Sequence, residues 1–505
     1  MTSNARSSYG SPEGIVPAVT EGRAGALPGW LGALRITLTL SGMQFVAMGL
    51  TLLRSKIIAL LIDPHGVGVV SVVDQLIQVV SQVCALSLSI APVKFLSRTL
   101  HEGVNAVGRI YQALLKTLLI SSLVGTGISI LVVTLRGEVL GRELAGYKGA
   151  VLIALLTVPG MALGGLLGTV LASAKGYGAS AFYALMLSMA SVIAAYGGIR
   201  FAGIPGLYYG NLVVGMAAAV GAIGYLWARL RLAPHTRGFR LRDELRRHPD
   251  IVSFSAVFYV LAFAQPLSLL IARYTVLKNL GLVEAGYFQA AFAISSVVTM
   301  VLVHAIRLYL WPVANRSIPK IEKFRTANDF QRSCTFLGLC AALPLVLFPR
   351  EVTILLFSPA FVAVNPYLFV FVIADYLLLG ALVYQSVVVG VDDLRNFLST
   401  SLFAHLCLAV LAGILAPYYG LWGVAWALIA SRSALLLLTI LVLRRRHGFA
   451  MPGSLAGLMI YGVLALSLAG LLSRGYTLSA STFLLRLAIF AAFASSAFLF
   501  LDNRE

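Results

Sequence analysis

Apolar positions in this chain come in blocks. Stretch after stretch of roughly 20 residues carries hardly a charge, and short polar segments separate the stretches. A bilayer core about 30 Å thick is crossed by about 20 helical residues at 1.5 Å each. The pattern predicts fourteen crossings, at 36–60, 67–92, 110–134, 149–172, 179–199, 204–227, 251–272, 285–310, 332–349, 365–389, 397–416, 420–443, 454–473 and 482–501. The stretch 352–389 has room for an additional short helix. Residues 1–30 are polar and rich in Gly, Ser and Pro, and they read as a disordered tail. The first apolar block begins only near Trp30, which suits a membrane anchor and not a cleaved leader.

Composition agrees with the blocks. Of 505 residues, 59% are hydrophobic and 11% charged, whereas soluble domains carry about 25% charged residues. Too little polar surface is available to cover soluble domains, so the fold class is an all-α polytopic membrane protein. The balance of 38 basic to 19 acidic residues gives a net +19. In a soluble protein that excess would suggest nucleic acid; in a membrane protein it reads first as topology. With the N-terminus inside, the connections on its side hold 23 Lys and Arg and those on the other side hold eight. Both termini are therefore expected in the cytoplasm. The linker 229–250, with seven arginines, is expected to orient the chain and touch anionic headgroups, with no nucleic-acid partner.

The linker lies near the middle of the chain, and a repeat flanks it. Gly68, in the segment that ends the first crossing, matches Gly286 at an offset of 218; Gly203-Ile-Pro-Gly206 matches Gly420-Leu-Trp-Gly423 at 217. An offset that spans six crossings keeps both copies in one membrane orientation. The expected organisation is a tail (1–30), an N-terminal six-helix bundle (31–228), the linker (229–250), a second six-helix bundle (251–443), and two added helices with the C-terminus (444–505). A cleft between the bundles is expected. Gly160, Gly164 and Gly168 recur every four residues on one helix face and predict tight helix packing.

Charges at membrane depth are costly and normally face protein or water. The predicted spans hold seven cations, Arg35, Arg54, Lys56, Lys116, Arg307, Arg432 and Arg486, against two carboxylates, Asp74 and Asp375. Arg54 and Lys56, with Arg273 one residue from the repeat-related position, either cap the cleft toward its outer side and attract an anion or anchor helix ends at the interface. Gln75, Gln78 and Gln82 share a helix face beside Asp74. Their amides either line a wet cavity, where they suit sugar hydroxyls, or bond neighbouring helices. Gln44, Gln265 and Gln289 are weaker candidates of the same kind. Asp375 with Arg432, and Asp74 with Arg54, are candidates for ion pairs or for ion coupling. His405 reads as a satisfied interior histidine. No HExxH, GxSxG or Walker A pattern is present, and the four cysteines lie apart in apolar stretches. No enzyme activity, metal or cofactor is expected.

The segments Ser55-Lys56-Ile-Ile-Ala-Leu-Leu-Ile-Asp-Pro-His-Gly66-Val-Gly68-Val, Ile354-Leu-Leu-Phe-Ser-Pro-Ala-Phe361 and Tyr419-Gly-Leu-Trp-Gly423-Val-Ala-Trp-Ala resemble O-antigen and polysaccharide flippases of the multidrug/oligosaccharidyl-lipid/polysaccharide exporter superfamily. Where this chain has Ile62-Asp63-Pro64, the flippase segment usually reads Leu-Gly-Pro. The resemblance implies translocation of undecaprenyl-diphosphate-linked oligosaccharide across the bacterial inner membrane by alternating access. The implied partners are that lipid-linked substrate, membrane lipids, a coupling ion if one is used, and a glycan polymerase. The alternatives are a lipid II flippase and a drug/cation antiporter, which would need carboxylates in its cavity. The glycan and the driving force stay open.

Overall fold

A computed structural model describes residues 42–85, 104–136, 141–175, 177–230, 249–315, 318–473 and 480–502. The tail 1–30, Arg35 and most of the linker 229–250 lie outside the described residues. The N-terminal half comprises helix α1 (Gly42–Ala85), α2 (Val104–Leu135), α3 (Lys148–Leu156), α4 (Val158–Lys175) and α5 (Tyr177–Leu230). The C-terminal half comprises α6 (Pro249–Leu280), α7 (Leu282–Ala305), α8 (Lys320–Leu347), the short α9 (Pro349–Leu356), α10 (Asn365–Gly390), α11 (Leu394–Tyr419) and α12 (Leu421–His447). Helices α13 (Gly453–Ser473) and α14 (Ala480–Asp502) follow.

Among the described residues, twelve helical segments are long and apolar enough to cross a membrane. Two of them contain a backbone break, at Asp63 in α1 and at Ala202–Gly203 in α5. Each break divides one long segment in two, so the count comes close to the fourteen that the apolar blocks predict. The short α9, with a 3₁₀ turn at Pro359–Val364, fills the long stretch before α10.

The repeat is visible in the backbone. Gly203 has φ 60°, ψ −139°, and its counterpart Gly420 has φ 59°, ψ −138°. Both values lie in the positive-φ region that glycine enters without a Cβ clash. Each bend therefore needs its glycine, and the chain turns back on itself identically in the two halves. Beside these bends Phe201 is 93% exposed and Tyr418 80%. They are repeat counterparts, as expected of aromatic residues at a membrane interface.

Within the N-terminal half, α1 packs on α5, and α4 packs on α5. Gly160 of α4 approaches Gly215 so closely that a Cβ would lie 2.8 Å from the Gly215 carbonyl carbon, as the glycine spacing predicts. In the other half, α10 and α11 both pack on α12, and α7 and α8 pack on α10. Gln385 of α10 ties these helices together, donating through Nε2 to Thr439 Oγ1 at 2.7 Å and Thr400 Oγ1 at 3.0 Å. Helices α13 and α14 pack on α8, where Arg486 of α14 lies over the Phe348 ring and 3.8 Å from Glu351. The two halves meet chiefly through α1 against α6 and α7. Leu, Val and Phe side chains on the outer faces, such as Leu123, Val213 and Phe403, are more than half exposed, as lipid-facing surfaces require.

Candidate functional site

The seam between the halves encloses a cavity of about 160 Å³. The first part of α1 contributes Arg54, Ser55 and Ile58. The second part contributes Ser71, Asp74, Gln75 and Gln78, which recur at three- and four-residue steps and so share one face. From the other half come Arg273 on α6, Gln289 on α7 and Phe357 just beyond α9. The cavity thus takes one arginine from each half, one carboxyl and three amides.

The arginines are held by fixed partners and keep donors in reserve. Arg273, 5% exposed, donates through Nη1 to the Ser71 carbonyl at 2.9 Å. Its guanidinium also lies over the rings of Phe288 and Phe292, at 5.7 and 5.6 Å, a favourable cation–π arrangement. Arg54 donates through Nη2 to Asn211 Oδ1 at 3.3 Å. The Nε atoms of both arginines are buried without a hydrogen-bond partner among the described residues. A buried charged donor left unpaired is costly. Gln289 Oε1 is likewise buried and unpaired.

The glutamines divide. Gln75 donates from Nε2 to the Pro266 carbonyl at 2.9 Å, across the seam, and to Gln78 Oε1 at 3.2 Å. Gln75 therefore bonds helices, while Gln78 and Gln289 offer amides to the cavity. Both sequence-level readings of the stripe apply, to different residues. Gln82 is not among the lining residues, and Gln265 is exposed. The side chains of Gln44 and Arg307 lie outside the described residues.

Three expectations change. Lys56 leaves the anion site: its Nζ donates to the Leu355 carbonyl at 2.8 Å, bridging the halves at the C-terminal end of α9, where a cation is favourable. Arg54 and Arg273 lie nine and eight residues from the bends at Asp63 and Gly281, or about 12–14 Å along their helices. They line the cavity on the inner side of these bends. Asp74 forms no ion pair within 4 Å among the described residues; it faces Arg54 and Arg273 across the cavity.

The second charge centre is separate. Arg432 Nη1 donates to Asp375 Oδ1 at 2.7 Å, joining α12 to α10 inside the C-terminal half, with side-chain exposures of 9% and 2%. His405 Nδ1 is 3.4 Å from Ser268 Oγ, an interior contact. Lys116 is exposed. Among the described residues no group of His, Cys, Asp and Glu is arranged to hold a metal ion. Asn211 and Tyr208 belong to the site or its wall without any signal in the sequence, and Phe357 belongs to the Ile354–Phe361 segment that carries the resemblance.

No protein-family model matches the chain. The lipid III flippase of Escherichia coli (strain K12) is 26% identical over 413 residues, 79% of this chain and 94% of that protein, and the lipid III flippase of Shigella flexneri matches to the same extent. Among solved structures, lipid II flippase MurJ in an inward closed conformation aligns with a TM-score of 0.67 at 13% identity, covering 91% of this chain and 98% of that one. An inward-facing multidrug resistance MATE family transporter of the MOP superfamily aligns with a TM-score of 0.64 at 12% identity, covering 88% and 100%. The fold is that of these membrane transporters. The chain is a multi-pass membrane protein, and its likenesses are to transporters and flippases.

Proposed function

We propose that the chain flips a diphosphate-linked, lipid-anchored oligosaccharide across the bacterial inner membrane, with both termini cytoplasmic. One observation carries this reading: two arginines from opposite halves, Arg54 and Arg273, line one amide-lined cavity. A diphosphate offers acceptors to both guanidinium groups, and charge-assisted bonds of this type are strong. Gln78 and Gln289 suit sugar hydroxyls because an amide both donates and accepts. The prenyl chain stays in lipid. An undecaprenyl-diphosphate repeat unit of an O-antigen, capsule or exopolysaccharide fits this chemistry, and a glycan polymerase is the natural consumer of the product. The lipid-linked substrates in the names of the lipid III and lipid II flippases support the same class. A drug/cation antiporter fits less well, because two arginines against one carboxyl leave the cavity net positive.

The test is a flipping assay with the full chain in proteoliposomes and a fluorescent undecaprenyl-diphosphate oligosaccharide. Arg54→Gln and Arg273→Gln should each slow flipping by about ten- to a hundredfold, equivalent to about 1.5–3 kcal/mol for a bond to a charged group. Wild-type rates in both variants, at equal protein levels, would remove the anion site.

A further inference from the structure

Asp74 is the cavity residue that the substrate reading leaves without a task. It is the one carboxyl among the lining residues. Arg54 and Arg273 approach it from the two halves, and the fully buried Tyr208, whose hydroxyl donates to the Val70 carbonyl at 3.4 Å, adjoins it from α5. No other charged group lines the cavity. Asp74 makes ion-pair contact with neither guanidinium group among the described residues, and the Tyr208 side chain is a hydrogen-bonding neighbour.

Resting on the diphosphate reading above, we propose that Asp74 is a resident counter-ion that the substrate displaces, so that filling the site loads one proton onto Asp74. A diphosphate diester carries two negative charges at neutral pH. Against Arg54 and Arg273 it is balanced, and an ionised Asp74 becomes a third anion in a site of low dielectric, where like charges do not stay ionised together. A proton from water then forms an O–H bond on the carboxyl, leaving two positive and two negative charges. When the diphosphate departs, the proton returns to solvent and the carboxylate again faces the arginines. Nothing is oxidised or reduced. The empty protein therefore never reorients with two uncompensated guanidinium charges inside the membrane, the state that burial penalises most. The same arithmetic sets selectivity. A monoanionic phosphodiester leaves the site neutral with Asp74 ionised and requires no proton.

The experiment is titration calorimetry on the purified full chain in buffers of different ionisation enthalpy. The probes are P1,P2-dimethyl diphosphate, which stays doubly negative between about pH 5.5 and 8.5, and dimethyl phosphate. The expected result is uptake of about one proton per bound diphosphate and none with dimethyl phosphate. Diphosphate affinity should weaken toward about tenfold per pH unit on the alkaline side. Asp74→Asn should abolish the uptake, flatten the pH profile and bind the diphosphate about tenfold more tightly at pH 8. If Asp74→Asn fails to fold, the wild-type proton count decides alone. PH-independent wild-type binding without proton uptake, lost in Arg54→Gln and Arg273→Gln, would overturn the counter-ion role and leave the anion site standing. Wild-type binding that survives in both arginine variants, or no measurable diphosphate binding at all, would overturn the site reading itself.

Discussion

Gly68 and Gly286 meet backbone to backbone where the two halves cross. A Cβ on Gly68 would overlap the carbonyl oxygen of Leu282, and a Cβ on Gly286 would overlap the carbonyl oxygen of Pro64. Each contact is the image of the other under the 218-residue offset. The repeat therefore places two glycines on the pseudo-symmetry axis, each leaving room for the partner half's main chain, as small residues do where membrane helices approach closely.

A methyl group at either position should wedge the crossing apart. Gly286→Ala is expected to destabilise this arrangement by about 1–3 kcal/mol, the usual cost of overpacking, and to open the cavity toward the bends. The readout is a cysteine at Val67, a cavity-lining residue 4% exposed, in a background with the four native cysteines replaced by alanine. A water-soluble thiol reagent should label it about tenfold faster in the Gly286→Ala protein. Unchanged labelling together with an unchanged melting temperature would show that the crossing yields at no cost.

The bend before this crossing is strained in one half only. Asp63 has φ 56°, ψ 174°, and its counterpart Gly281 has φ 95°, ψ 179°. That region is essentially reserved for glycine and costs other residues about 1–3 kcal/mol. Asp63 is exposed and gains no burial in return. Asp63→Gly should therefore raise thermal stability, by about 1 kcal/mol after the extra unfolded-state entropy of glycine is subtracted. Gly281→Ala should lower it by about 1–3 kcal/mol. Thermal unfolding of the purified variants decides, and a less stable Asp63→Gly protein would contradict the strain argument.

The fold was legible because a bilayer admits few solutions: uninterrupted apolar blocks, an even repeat and paired glycine bends left little freedom. The site was legible by residue type and less so by geometry. Lys56 is only two residues from Arg54, but two helical steps turn a side chain about 200°, so it points to α9 and not into the cavity. Gln82 shares the face of Gln75 but sits about 10 Å farther along the helix, past the cavity end. Arg54 and Arg273 came together because the repeat brings their helices to one seam. Asn211 and Tyr208 are ordinary residues in apolar stretches, and only the packing of distant helices brings them there.

The Asp375–Arg432 pair makes a separate prediction inside the C-terminal half. Its carboxylate Oδ2 is buried without a hydrogen-bond partner among the described residues, and Arg432 holds Oδ1 at 2.7 Å, with Ser295 beside the carboxylate. Arg432→Met leaves a buried unpaired carboxylate and should cost about 3–5 kcal/mol. Adding Asp375→Leu should return most of that loss, since a well-packed apolar pair is often as stable as a buried ion pair. Melting temperatures of the two single variants and the double variant form the cycle. Additive losses would mean that the two side chains are not coupled.

Acid should loosen the turn between α10 and α11. Asp393 caps α11, accepting from the Asn396 backbone N–H at 3.4 Å and from Asn396 Nδ2 at 2.8 Å, and it lies 2.9 Å from His447 Nε2 at the end of α12. Burial pushes its carboxyl upward, but the hydrogen bonds from His447 and Asn396 outweigh burial and hold it below the ordinary aspartate value of 3.8. A carboxyl depressed in the folded state stabilises that state above its unfolded value and loses the contribution as pH falls through the folded one. The wild-type protein should therefore be more stable than Asp393→Asn at pH 6, by about 1–2 kcal/mol for bonds to a charged group. The gap should close well below pH 3.8, once the wild-type carboxyl is protonated too. Melting curves of the two proteins between pH 3 and pH 7 measure the gap directly; a difference that stayed constant across that range would show that the charge of Asp393 contributes nothing to holding α11 against α12.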